Sequence, residues 1–402
     1  MAVLRHGDFR NLFLGQAASA IGDRIVFVAL ALYVTEIGSP SDVGLVLAAH
    51  AIPLVGFVLI GGVWADRLPR VRVVVSTDLI RFALHALLAA LIFTGVVEIW
   101  HIVVIEALFG TAEAFFKPAM TGLIPQTVPE EAIQPARAAT GTMETVAEFA
   151  GPAIATGLVL GLGAGWAFAL DALTFLVSAV FVSRVQVRER GEPGVPQRLL
   201  ADLREGWGAV RSRAWVWSIV LAFSLALLLS FAPWMTLGPT VAEEEHGSRA
   251  AYGLLAAALG AGTLVGALIG FRWRPLHPMR AGVLFCLPWP LATIAFAAGL
   301  PIVGVTAAFV VAGVGLALFG IWWETALAER IPPHLLSRVS AYDWMGSLAL
   351  LPLGYLLAGP LGEALGGPEV LMAGSALAAA ALAGSLLVRE TRTLRRLERA
   401  AA

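Results

Sequence analysis

The chain is 402 residues long, 58% hydrophobic and only 14% charged, with a formal net charge of −1. Soluble domains carry roughly 45–50% apolar and about 25% charged residues, so this composition excludes a soluble globular protein. A single cysteine, Cys286, excludes an intrachain disulfide and a cysteine-based metal site.

Apolar runs long enough to cross a hydrocarbon core of about 30 Å recur along the whole chain. Backbone inside lipid must satisfy its own hydrogen bonds, so each run reads as a helix. The predicted spans are 10–36, 43–65, 73–96, 99–118, 138–162, 166–185, 214–239, 250–271, 281–299, 302–326, 339–361 and 369–388. The residues before the first run do not read as a cleavable leader, so that span is expected to stay in the mature protein. Most connections are short. The exception, Gln186 to Arg213, is polar and contains Glu192-Pro193-Gly194-Val195-Pro196. The expected fold is an all-α membrane protein of twelve transmembrane helices in two pseudo-symmetric six-helix bundles. The N-terminal bundle covers 1–185, a cytoplasmic linker 186–213, and the C-terminal bundle with a short basic tail 214–402.

Arginine and lysine set the orientation. With both termini cytoplasmic, every basic residue except Arg24, Arg81 and Arg249 falls on the cytoplasmic side. The halves also repeat. Phe115-Phe116-Lys117 with Ile124-Pro125 matches Trp322-Trp323-Glu324 with Ile331-Pro332 at one constant offset. Gly62 and Arg72 match Gly270 and Arg280 at an offset one residue longer. Parallel six-helix repeats of this kind build one large class of secondary transporters.

Charges at membrane depth are costly and usually face a cavity or a partner. Asp23 lies near the middle of the first span, about 21 Å along a helix from Phe9, where an acid can load and unload a proton. Arg24 points elsewhere around the same helix, towards an anionic group or another helix. Glu106, Glu113 and Lys117 share one face of the fourth span, with Glu113 and Lys117 in the favourable i,i+4 order. Glu144 and Glu148 on the fifth span are like charges one turn apart, a pair suited to sharing a proton. These carboxylates are the candidate proton-coupling groups; a partly wet helix face is the competing reading for Glu144 and Glu148. Asp171, Glu324 and Asp343 are the remaining acids in spans. Glu324 is a gating candidate because it is the repeat partner of Lys117. His50 and His85 read as groups that can titrate near neutral pH or, the more common case, as hydrogen-bonded packing residues, and Gly262, Gly266 and Gly270 as a close-packing stripe.

Gly62-Val63-Trp64-Ala65-Asp66-Arg67-Leu68-Pro69-Arg70-Val71-Arg72 follows the second span. Gly62 allows close helix approach, and Asp66, Arg67, Arg70 and Arg72 can pair across a cytoplasmic gate. Asp78 and Arg81 read as part of the same latch. The motif resembles the signature of the major facilitator superfamily, with Pro69 where the family usually has Gly and Val71 where it often has a base. Gly15-Gln16 through Gly22-Asp23, Asp78-Leu79-Ile80-Arg81, Phe115 through Ala119 and Ile331 through Ser340 resemble its exporter branch of enterobactin-type siderophore exporters and macrolide efflux proteins. Gly151-Pro152 is similar to the antiporter motif of exporters in that superfamily.

The resemblance implies a central cavity between helices 1, 4, 7 and 10. Phe27, Phe231, Trp234, Trp322 and Trp323 would then form an aromatic wall, with Arg24 beside it; an interfacial aromatic belt is the alternative. No phosphate-binding loop, catalytic set or metal-ligand spacing is present in the sequence. The expectation is a monomeric proton antiporter exporting amphipathic or hydrophobic molecules across a bacterial inner membrane by alternating access. It would need no cofactor, would contact membrane lipid, and would bind no nucleic acid. A siderophore or lysophospholipid transporter is the alternative within transport, and a non-transporting receptor or scaffold the alternative outside it.

Overall fold

A computed structural model of the chain describes residues 2–187, 199–270 and 272–397, with side chains described except at 2, 58–67, 145, 149, 153, 160, 199–203, 333, 334 and 337. Among the described residues every regular element is helical. The chain divides into two compact units, Met1–Glu192 and Pro193–Ala402.

The first unit contains α1 (Gly7–Ile37), α2 (Pro40–Arg67), α3 (Arg70–Thr94), α4 (Ile99–Leu123), α5 (Ile133–Leu162) and α6 (Ala164–Val182). These coincide with the first six predicted spans. Gly95 ends α3 with φ 71°, a left-handed turn that its missing side chain permits.

In the second unit some predicted spans are built from two helices. The seventh is α8 (Ala214–Ala226), a π turn at Leu227–Phe231 and α9 (Ala232–His246), running past the predicted end at 239. The eighth is α10 (Ala250–Gly270). The ninth breaks between α11 (Pro278–Cys286) and α12 (Pro288–Ala297), where Pro288 and Pro290 lack the amide protons that a continuous helix would use. The tenth is α13 (Ile302–Arg330). The eleventh breaks between α14 (Pro333–Leu348) and α15 (Leu351–Leu365), ahead of Pro352. The twelfth is α16 (Gly367–Ser385), followed by the short α17 (Arg389–Thr393).

One helix was not expected. The second part of the polar connection forms α7 (Leu199–Arg211), which packs on α8 and α14. Gly206, Ala209 and Val210 are buried, and Arg338 on α14 ion-pairs with Glu205.

The repeat read from the sequence reappears in the packing. In the first unit α2 lies on α4, α3 on α6, and α1 on both α5 and α6. In the second, α10 lies on α13, α12 on α16, α8 on α16 and α9 on α15. In span order, the pairings 2–4, 3–6, 1–6 and 1–5 recur as 8–10, 9–12, 7–12 and 7–11. The glycine stripe acts as expected: a Cβ on Gly262 or Gly266 would overlap backbone oxygens of α13.

Leu79, Ile80, Leu87 and Phe93 on α3, and Leu254, Val265 and Leu268 on α10, point outward. Water would penalise such surface by roughly 25 cal/mol per Å²; lipid does not. Eleven helical segments among the described residues are long and apolar enough to cross a membrane. The fifth predicted span is helical as α5.

Candidate functional site

The interior of the first unit is charged. On α3, Asp78, Arg81 and His85 follow one another at helical spacing on one face and are all buried. On α4, Glu106 and Glu113 turn towards the same interior, and α6 contributes Asp171 and Ser178. Close approach makes this possible. A Cβ on Gly110 would overlap the His50 carbonyl oxygen, and one on Gly22 would overlap the Asp171 carboxylate. Both glycines bring polar side chains of neighbouring helices within hydrogen-bond range.

Two linked groups result. In the first, Gln16 Nε2 donates to Ser178 Oγ at 2.9 Å, and Ser178 Oγ donates to Asp78 Oδ2 at 2.7 Å. Asp78 ion-pairs with Arg81. The Arg81 guanidinium lies over Phe116 at 4.0 Å and Phe175 at 4.3 Å from the ring centroids, so cation–π contacts supplement its single carboxylate.

The second group alternates carboxylates and imidazoles. Lys117 Nζ is 2.7 Å from Glu113 Oε1, the i,i+4 pair read from the sequence. Glu113 Oε2 is 2.9 Å from His50 Nε2. His50 Nδ1 is 3.0 Å from Glu106 Oε2. Glu106 Oε1 faces His85 Nε2 at 3.5 Å, and His85 Nδ1 is 2.5 Å from Asp171 Oδ2. The His85 ring stacks on Phe109 with centroids 4.2 Å apart. Asp23 makes no ion pair or side-chain hydrogen bond among the described residues, yet it feels the charges of Arg81, Asp171, Glu113 and His85.

The placement departs from the sequence reading in several respects. Asp78 and Arg81 were expected at a cytoplasmic latch, but they lie about two to three turns inside α3, in the core of the bundle. Arg70 donates from Nη1 to the Gly122 carbonyl at 2.7 Å, tying the start of α3 to the end of α4. Arg72 is exposed. Gly62, Asp66 and Arg67 end α2, where side chains lie outside the described residues. Glu148 is met by Arg24 at 2.7 Å, and both partners are half-exposed. Glu144 is exposed, within charge range of Glu148, Arg24 and Lys117. Glu324 is also exposed.

The aromatic residues fall into different environments. Phe27 is partly exposed on α1. Trp234 is buried in a cluster with Phe231, Tyr252, Trp289 and Phe309, a packing role rather than an open wall. Trp322 packs against Trp273 and Phe285 and donates to the Trp273 carbonyl at 3.1 Å. Trp323 donates to Asp343 Oδ2 at 2.8 Å. It lines a cavity of about 220 Å³ with Val220, Phe223, Phe319, Asp343 and Trp344.

His50, His85 and Asp171 were not among the expected site residues. His50 and Asp171 are each the lone ionisable residue within the interior of their spans, and His85 lies one turn beyond Arg81; the sequence signal is weak: ionisable residues at mid-depth in four consecutive or near-consecutive spans. No group of three or more potential metal ligands is assembled among the described residues.

The sequence matches the Major Facilitator Superfamily over residues 12–347. Macrolide efflux protein A of Streptococcus pyogenes is 21% identical over 369 residues, covering 89% of this chain and 90% of its own length. The multidrug efflux pump Tap of Mycolicibacterium fortuitum is 27% identical over 384 residues, covering 91% and 92%. Solved structures share the fold. The nucleoside transporter NupG aligns with a TM-score of 0.74 at 13% identity, over 94% of this chain and 98% of that one. An inward-facing, unoccupied bacterial homologue of the human lysosomal transporter Spinster aligns with a TM-score of 0.72 at 16% identity, over 97% and 98%. Helix-only architecture, repeated packing of six spans, lipid-compatible surfaces and the family match agree: this chain is a multi-pass membrane transporter, not an enzyme, and it belongs to the Major Facilitator Superfamily.

Proposed function

We propose that the protein is a proton-driven exporter of small amphipathic or hydrophobic molecules, working by alternating access in a bacterial inner membrane. The observation that carries this reading is the set of ionisable groups held at membrane depth in the first unit, with Asp23 beside them. Such groups are expensive in a bilayer and are retained where protons or ions are handled. The relatives named for macrolide and multidrug efflux support export as the direction. Residues 1–185 and 214–402 act as the two moving bundles, joined through 186–213, and a single chain suffices. The distribution of basic residues supports a cytoplasmic position for both termini.

Substrate charge follows from which cations are already engaged. Arg24 is paired with Glu148, Arg81 with Asp78 and Lys117 with Glu113. That leaves little to attract an anionic siderophore or a lysophospholipid headgroup. The cavity at Trp323 instead joins aromatic faces to the Asp343 carboxylate, a combination suited to an amphipathic molecule with a positive charge.

The test is efflux of labelled erythromycin and of ethidium from proteoliposomes under an imposed pH gradient. The parent protein accelerates efflux of at least one probe, and Asp23→Asn abolishes the response to the gradient. Unchanged gradient-driven efflux in the variant would remove Asp23 from the mechanism. A parent that moves neither probe would remove this substrate class.

A further inference from the structure

We propose that Glu113, His50, Glu106, His85 and Asp171 form a dead-end proton relay, which carries a proton from a solvent-accessible mouth at Glu113 and Lys117 to a buried store at Asp171. The observation behind it is continuity. Groups from α2, α3, α4 and α6 meet in one line, and each imidazole faces a carboxylate at both of its nitrogens. A structural ion pair needs one partner on each side; a relay needs an imidazole that receives at one nitrogen and releases at the other.

The three outer groups reach solvent and the three inner ones do not. Lys117 is 45% exposed and Glu113 19%, His50 is 26% and Glu106 3%, and His85 and Asp171 are 1% and 0%. The transfers balance. A proton on Glu113 Oε2 passes to His50 Nε2, and the resulting imidazolium gives its Nδ1 proton to Glu106. The Glu106 carboxyl, protonated at Oε2, turns to bring that proton round to His85 and gives it to Nε2, and His85 gives its Nδ1 proton to Asp171 Oδ2. Each imidazole is left with its proton on the opposite nitrogen. A return along the same line restores both tautomers, so the geometry suits loading and unloading through one mouth rather than continuous conduction.

The line has one break. His85 Nε2 and Glu106 Oε1 stand 3.5 Å apart, and neither atom has a hydrogen-bond partner among the described residues. Two buried polar atoms facing each other without a bond are costly. Closing the gap by about half an ångström would bring them to ordinary hydrogen-bond distance. This contact is therefore the step that a small helix shift switches on and off.

Other charges frame the path. Asp23 on α1, Arg81 on α3 and Lys117 on α4 face it, and Glu144 on α5 lies within charge range of Lys117. Coupling the relay to transport rests on the exporter reading; its existence as a proton store does not.

The experiment uses purified full-length protein and no transported molecule. Time-resolved infrared difference spectra after an acid jump follow the protonated-carboxyl bands, assigned with Glu106→Gln and Asp171→Asn. In the parent both bands grow. His85→Gln slows the Asp171 band about tenfold or more, as expected for loss of a positioned proton-transfer group, and spares the Glu106 band. His50→Gln slows both. This graded pattern is one that a merely structural role does not produce. An Asp171 band that grows at the parent rate in His85→Gln, or a parent with no carboxyl band at all, would overturn the relay. If a variant does not elute as a single species, the parent is measured in heavy water. A slowed Asp171 band supports the relay, and an unchanged rate overturns it. Proteoliposomes of the same parent then separate the two readings: band growth without any probe transport leaves the relay standing and removes the exporter.

Discussion

His85 Nδ1 lies 2.5 Å from Asp171 Oδ2, joining α3 to α6 with both side chains shielded from solvent. This contact belongs to a bundle interior in which polarity, as well as apolar packing, determines which helices meet. Its consequences for stability can be measured separately from transport.

Asp78→Ala leaves the Arg81 guanidinium between Phe116 and Phe175 with no carboxylate. Stranding a buried charge in this way costs about 3–5 kcal/mol. Thermal unfolding of the purified variant in detergent shows a large drop in midpoint. Replacing both residues, with Asp78→Leu and Arg81→Met, recovers much of the loss, because a well-packed apolar pair needs no partner.

The Arg24–Glu148 pair behaves differently. Both side chains are half-exposed, and such pairs contribute about 0–1 kcal/mol. Arg24→Gln therefore shifts the unfolding midpoint little. An unfolding midpoint depressed as far as that of Asp78→Ala would show that the pair is more enclosed than it looks.

Gly110→Val forces a side chain against the His50 carbonyl and drives α2 from α4. Overpacking of this kind costs about 1–3 kcal/mol, and thermal unfolding detects it. Gly157→Ala on α5 is the control, since its Cβ would meet nothing within 4 Å; it unfolds at the parent temperature or slightly above.

Cys286 is buried among the helices of the second unit. A maleimide reacts with it slowly in the folded protein and rapidly once sodium dodecyl sulfate opens the bundle, since reactivity needs access to the thiol. Gel-shift labelling therefore reports folding of this unit in every variant above. Equal rates in both states would contradict the packing around α11.

The spans were legible because a bilayer demands long apolar runs, and those runs are plain in the sequence. The break between α11 and α12 was legible in hindsight from Pro288 and Pro290. Helix α7 was not, because its neighbours are polar and its packing partners, on α8 and α14, lie outside its own segment. The site was legible by halves. Glu113 and Lys117 are one turn apart, so spacing alone reveals the pair. His50 and Glu106 are 56 residues apart, and His85 and Asp171 are 86 apart. A lone histidine in an apolar run carries no mark of the carboxylate that another helix brings to it. Asp78 and Arg81 were misplaced for a related reason: proximity in sequence to a basic loop says little about depth.

The Arg81 sandwich between phenyl rings also bears on electroneutrality. A guanidinium stays charged under all ordinary conditions, so Arg81 is a constant in this interior, and Lys117 stands at its mouth. Those two cations balance Asp78 and Glu113. Asp23, Glu106 and Asp171 remain, and only His50 and His85 are placed to offset them from within. Even with both imidazoles charged, one carboxylate is left over. The bundle is therefore a compartment that stays near neutrality only while it holds further protons or another cation, and its occupancy is tied to the ionic state of whichever side it faces.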